Sequence, residues 1–159
     1  MSEYGDPVDV GEVPDVEEWV QAFGGGLDYL DYLAQHAGLG EWAAFARVLM
    51  PRFVEVEGCV LWDRAYDPAN FRGWKEQLQG DVSRIEATLN QFRLWQFIDL
   101  AEDPASEAGA RELADRIALS WRRSLAAAFP QRAFEVVVSH SEDGPVVGFS
   151  TAPRDGRTG

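Results

Sequence analysis

Lysine is nearly missing from this 159-residue sequence: Lys75 stands beside 13 arginines, and no basic residue precedes Arg47. Binding a phosphate backbone depends on Lys and Arg displacing counterions, so the N-terminal third is unsuited to nucleic acid. An anionic membrane surface is disfavoured for the same reason. Cysteine is as scarce. Cys59 alone leaves no intramolecular disulfide and no multi-cysteine zinc or iron–sulfur site. No apolar run approaches the ~20 residues that span a bilayer. The stretch Met1-Ser2-Glu3-Tyr4-Gly5-Asp6 lacks the basic and apolar regions of a signal peptide, so a soluble cytoplasmic protein is expected.

Catalytic templates are missing too. The sequence has two histidines and no His-x-x-x-His or His-Glu-x-x-His spacing, no Gly-x-Ser-x-Gly elbow and no dinucleotide fingerprint. Gly24-Gly25-Gly26 precedes a helical pattern, but no Gly-Lys-Ser/Thr follows, and Asp28 and Asp31 would repel a phosphate. No cofactor and no metal are therefore expected.

What the sequence has in excess is negative charge. There are 27 acidic against 14 basic residues, a formal net of −13. Ten of the acids fall in residues 1–46, which hold no base. The remainder, with 17 acids and 14 bases, is almost balanced. Such a field attracts a basic partner and speeds the encounter at low salt, besides keeping the chain soluble. Arginine over lysine, with abundant Ala and Gly, has the look of a GC-rich bacterial coding sequence.

The periodicity predicts an α+β fold. Residues 1–14 have no apolar period and read as a disordered acidic lead-in, 15–151 as one domain, and 152–159 as a flexible tail. Asp15 with Glu18 reads as a capping box opening a helix that carries Trp19, Val20 and Phe23. A second helix is expected from Leu27 to about Gly38, with His36 favourably placed at its C-terminus, and a third from Gly40 to Met50 with Trp42, Phe45, Val48 and Leu49. Asp67-Pro68, Asp81 and Asp103-Pro104 each open a further helix; the last carries the stripe Leu113, Ile117, Trp121, Leu125, Phe129. Residues 53–62 alternate with period two and read as one strand. A C-terminal hairpin, 134–140 with 146–151, turns at Asp143-Gly144. The expected architecture is a small antiparallel sheet of about three strands, including that hairpin, packed against several helices. If 53–62 pairs with the hairpin, one core gathers Val54, Val56, Val60, Val136, Val138, Val146 or Val147, and the Trp121 stripe.

Glu55 and Glu57 would then share a strand face, and paired carboxylates can do acid–base work or hold a hard cation with Asp63 and Asp67. The plainer reading places them on a solvated face. His140, beside Glu142 and Asp143, would need an orienting carboxylate and a ligand from elsewhere. Cys59 lacks a nearby base and reads as a small hydrophobe. The six tryptophans point mainly to core packing, but Trp95 and Phe97 in Phe92-Arg93-Leu94-Trp95-Gln96-Phe97-Ile98 form a candidate docking or self-association patch.

Three functions fit. The favoured one is a non-catalytic protein-binding module, immunity- or antitoxin-like or a regulatory adaptor, whose acidic residues Asp28, Asp31 and Glu41 meet a basic protein. The alternatives are a small metal-dependent enzyme using Glu55, Glu57, Asp63 and His140, and a structural subunit docking through a Trp-rich face.

Overall fold

The computed structural model describes residues 10–153, so the lead-in up to residue 9 and the tail from 154 lie outside the described residues. A short 3-10 turn over Val10–Glu12 leads into α1 (Pro14–Ala22), followed by α2 (Tyr29–His36) and α3 (Leu39–Leu49). Residues 10–14 are thus structured rather than lead-in. Nor does Asp15 cap α1. The cap position is Val13, which has no side-chain cap bond, and Pro14 occupies the first turn, where its missing N–H costs nothing. Leu27 lies outside α2, which Asp28 caps.

The expected single strand at 53–62 is instead a hairpin, β1 (Phe53–Val56) and β2 (Cys59–Trp62), with Phe53 opposite Trp62 and Val56 opposite Cys59. Glu57 and Gly58 form its two-residue turn, with φ of 50° and 84°, the double left-handed geometry that suits a tight hairpin. Such a turn pairs odd positions with even ones. Phe53, Glu55, Val60 and Trp62 therefore share one face, and Val54, Val56, Cys59 and Leu61 the other.

Beyond a 3-10 turn at Asp63–Ala65 come α4 (Pro68–Gln77) and α5 (Val82–Leu89). The chain then forms β3 (Gln91–Arg93), a 3-10 turn at Leu94–Gln96, the long helix α6 (Pro104–Ala128), and the hairpin β4 (Phe134–Ser141) and β5 (Gly144–Thr151). Capping by Asp67, Asp81 and Asp103 occurs as their sequence positions imply, each side chain accepting from a backbone N–H of the first turn.

The fold is α+β, with two small antiparallel sheets rather than one. The larger has the order β3-β5-β4. Its third strand is thus Gln91–Arg93, not residues 53–62, which do not pair with the C-terminal hairpin. Two apolar clusters replace the single expected core. Trp121, Ile117, Leu125, Val60, Trp62, Phe92, Val136, Val147 and Phe149 build the first between α6 and the sheets. Cys59, Leu61, Phe71 and Ile85 build the second, and Val54 and Val56 pack there, away from the Trp121 stripe. The β1–β2 hairpin is the layer between them, which is why all four residues of β2 are buried.

Two polar side chains, Glu86 of α5 and Asn90 just beyond its end, join the sheets. Asn90 accepts from Trp62 N–H at 2.9 Å and donates to the Val60 carbonyl at 2.9 Å and, more weakly, to that of Phe149 at 3.4 Å. Glu86, fully buried, accepts from Val60 N–H at 2.8 Å, Thr151 N–H at 2.5 Å and the Thr151 hydroxyl at 3.0 Å. Arg132 closes the network, 3.3 Å from Glu86 and bonded through Nε to Thr151 and through Nη2 to the Gly58 carbonyl. A helix here supplies the hydrogen bonds that a neighbouring strand would have given.

Candidate functional site

The residues proposed for acid–base or metal chemistry are not brought together. Glu55 is exposed on β1, at the rim of an open cleft of about 1020 Å³ lined also by Gly58, Phe129, Arg132, Thr151 and Pro153. Arg132 is committed inward to Glu86 and Thr151. Glu57 is in the hairpin turn, not on a strand face beside Glu55, and pairs with Lys75 at 3.0 Å. Asp63 pairs with Arg47 at 3.0 Å. His140 is exposed at the far end of β4, in a separate 340 Å³ depression with Glu102, Arg111, Glu142 and Asp143. The cleft takes in Ala133 next to the start of β4, so the strand length alone puts His140 roughly 20 Å away. Among the described residues no three His, Cys, Asp or Glu side chains are grouped as a metal would require.

Cys59 is 1% exposed. Burial, reinforced by the Glu86 carboxylate, pushes its thiol up to about 11, so it is protonated and unreactive at neutral pH.

Glu86 and Asn90, the two buried polar residues among those described, belong to no catalytic motif. The signal is positional: Val82, Glu86 and Asn90 run i, i+4, i+8 beside the buried Ile85 and half-buried Leu89. A carboxylate on the apolar side of a short helix must be hydrogen-bonded. Every acceptor oxygen of Glu86 has a protein donor, so the network holds structure together.

The N-terminal helices are arranged differently. Among the described residues Glu12, Asp15, Glu17, Glu18, Asp28, Asp31 and Glu41 form no ion pair, the four salt bridges all lying between later residues. Three of them cap helices. Asp28 accepts from Leu30 and Asp31 N–H at 2.9 and 3.3 Å, Asp31 accepts from Asp28 N–H at 3.0 Å, and Glu41 accepts from Gly38 N–H at 3.0 Å. Each uses only one oxygen in these bonds and remains exposed, so the charge still faces water.

Apolar side chains stand among these carboxylates. Neither α2 nor α3 has a fully buried residue. Leu30 is 53% exposed, Leu39 87%, Trp42 42% and Phe45 45%. The α1–α2 unit is held by one aromatic cluster, in which Trp19 meets Tyr32 and His36 edge-on at 5.7 Å and Tyr32 stacks on His36 at 4.1 Å. By contrast α3 is fixed at its C-terminal end. Trp121 Nε1 donates to the Val48 carbonyl at 2.8 Å and Ser120 Oγ to that of Leu49 at 2.5 Å. Val48 and Leu49 pack on the first core cluster. The N-terminal half of α3 therefore projects from a firm base.

The Trp95–Phe97 patch is smaller than its sequence implies, because Leu94 is buried and Trp95 is half-buried, its ring close to Gly144. Phe97 remains 50% exposed, stacked on Phe92 at 5.4 Å and covered by the Arg64 guanidinium at 4.8 Å.

No protein-family model matches the sequence. Neither a curated protein nor a solved structure matches it.

Proposed function

We propose that this chain is a non-catalytic protein-binding module whose N-terminal acidic helices recognise a basic protein, in the manner of an immunity protein, an antitoxin or a regulatory adaptor. The observation that carries the reading is the set of seven carboxylates from Glu12 to Glu41, which make no ion pair among the described residues and are mixed with exposed Leu30, Leu39, Trp42 and Phe45. Charges already neutralised inside a fold offer little to a partner. Charges left in water beside apolar surface provide both long-range attraction and a contact that excludes water.

The test separates charge from structure. Asp28→Asn, Asp31→Asn and Glu41→Gln each keep an oxygen where the capping bonds are made, and Asn and Gln serve well in those positions. The triple variant removes three negative charges and should melt close to the parent. Immobilised parent chain should retain a basic protein from its native cells, released as NaCl rises from about 50 to about 300 mM, where screening shortens from about 14 Å to under 6 Å. The variant should retain much less. A partner that is acidic, or that parent and variant hold equally at all salt concentrations, refutes the reading.

A second reading rests on Phe97, whose exposed ring lies between Phe92 and Arg64 in the manner of an interface anchor. Assembly through it would give a concentration-dependent mass in sedimentation that Phe97→Ser abolishes.

A further inference from the structure

Resting on that function, we propose that the partner element is a cationic amphipathic helix seated on the α2–α3 corner. Its apolar side would cover Leu39, Trp42 and Phe45 of α3, and its Lys and Arg would face the exposed carboxylates of Glu41, Asp28 and Asp31. Three observations lead there.

The first is periodicity. Leu39, Trp42 and Phe45 recur at helical spacing and, with half-buried Ala46 and Leu49, make a stripe along one side of α3. The stripe changes from covered to bare partway along. Leu49, the last residue of α3, packs on the core, whereas Leu39, the first, is 87% exposed. A seam of this kind is completed by another helix lying along it. Helices α2 and α3 also offer no free strand edge, so an added β-strand would find no backbone partners there.

The second is charge. Glu41 lies in the first turn of α3, one turn before Phe45 and so at one edge of the stripe, while Asp28 and Asp31 lie at the start of α2. The eight residues of α2 span about 12 Å, so Asp28 and Asp31 stand about that far along the helix from the end that leads into α3. Basic residues flanking the apolar stripe of a helix of three to four turns would meet them. A second copy of this chain is the wrong occupant. It would bring seven described carboxylates, with no Lys or Arg between Val10 and Ala46, against the same seven.

The third is rigidity. The Ser120 and Trp121 bonds to the last carbonyls of α3 hold its axis against α6. Little ordering cost then remains for α3 on binding.

The experiment uses the full chain and two synthetic peptides of about 14 residues, roughly 20 Å long as helices. Both contain only Leu and Lys in the same numbers. One places Leu at i, i+3, i+4, i+7 and the other scatters it around the helix. Binding is followed by anisotropy of a label on the peptide. The patterned peptide should bind at least about tenfold tighter than the scattered one, and Leu39→Ser and Phe45→Ser should each remove at least about fivefold of that advantage. Both positions are solvent-exposed, so the melting temperature should hold; circular dichroism of each variant checks it.

Equal affinity for the two peptides, or indifference to Leu39→Ser, overturns the helix seat. If both peptides then still bind in a salt-dependent way that the triple amide variant weakens, the acidic recognition surface survives without it. If neither binds, both readings fall. A dimer in sedimentation that Leu39→Ser dissolves assigns the face to a second copy and overturns the proposal as well.

Discussion

Replacing Glu86 by Ala should be the most damaging single change outside the apolar core. Glu86 is wholly buried and accepts four hydrogen bonds: from Val60 N–H, Thr151 N–H, the Thr151 hydroxyl and Arg132. The truncated side chain leaves two backbone donors without a partner, and each buried orphan costs about 1–3 kcal/mol. Arg132 also loses its carboxylate, and breaking a buried pair costs about 3–5 kcal/mol. These penalties overlap. The Arg132 side chain is 23% exposed, so water can reach part of what is lost. A net loss of about 4 kcal/mol is reasonable, a large part of the about 5–15 kcal/mol typical of whole domains. For this size it lowers the melting temperature by about 8–16 °C. Glu86→Gln should cost about half as much, because its amide oxygen can serve one side while its NH2 opposes a backbone N–H on the other. Urea unfolding followed by tryptophan fluorescence measures both, since Trp62 and Trp121 lie 5.4 Å apart in the first core cluster. A loss below about 1 kcal/mol for Glu86→Ala, with an unchanged urea slope, would refute the idea that α5 bonds the two sheets together.

Further outcomes follow from single features. Gln79, just past the Leu78 cap of α4, is left-handed, φ 54°, so Gln79→Gly should stabilise by about 0.5–1 kcal/mol, read in the same urea titration. Cys59 should resist a maleimide at pH 8 in the folded protein and react once urea unfolds it. Its folded value of about 11 stands above the ordinary 9.0, so its contribution to stability is full below pH 9 and is lost as pH rises toward 11. Cys59→Ala, which does not ionise, should flatten that part of the pH curve. Ser120→Ala removes the bond to the Leu49 carbonyl and should speed amide exchange in α3 more than in α6 or β5.

Local chemistry was enough to determine much of the molecule. Asp67-Pro68, Asp81 and Asp103-Pro104 mark helix starts because capping is settled within four residues. The stripe from Ile117 to Leu125 marks the core face of α6 because burial there follows the helical period. The charge asymmetry is likewise a property of the sequence itself. Long-range pairing is different. Glu57-Gly58 is a weak turn signal, since a glutamate rarely takes positive φ, and one two-residue turn reversed which side chains of residues 53–62 share a face. The three residues of β3 are too few to display any period, so they become a strand only because β5 offers an unpaired edge. The helical spacing of Glu86 with Val82 hints at its burial, but its partners, the N–H groups of Val60 and Thr151, are distant in sequence and are set only by the fold. The exposure of Leu39 and Trp42 is decided in the same way. Helical spacing tells which side of α3 is apolar, but only packing against α6 determines how much of that side is covered.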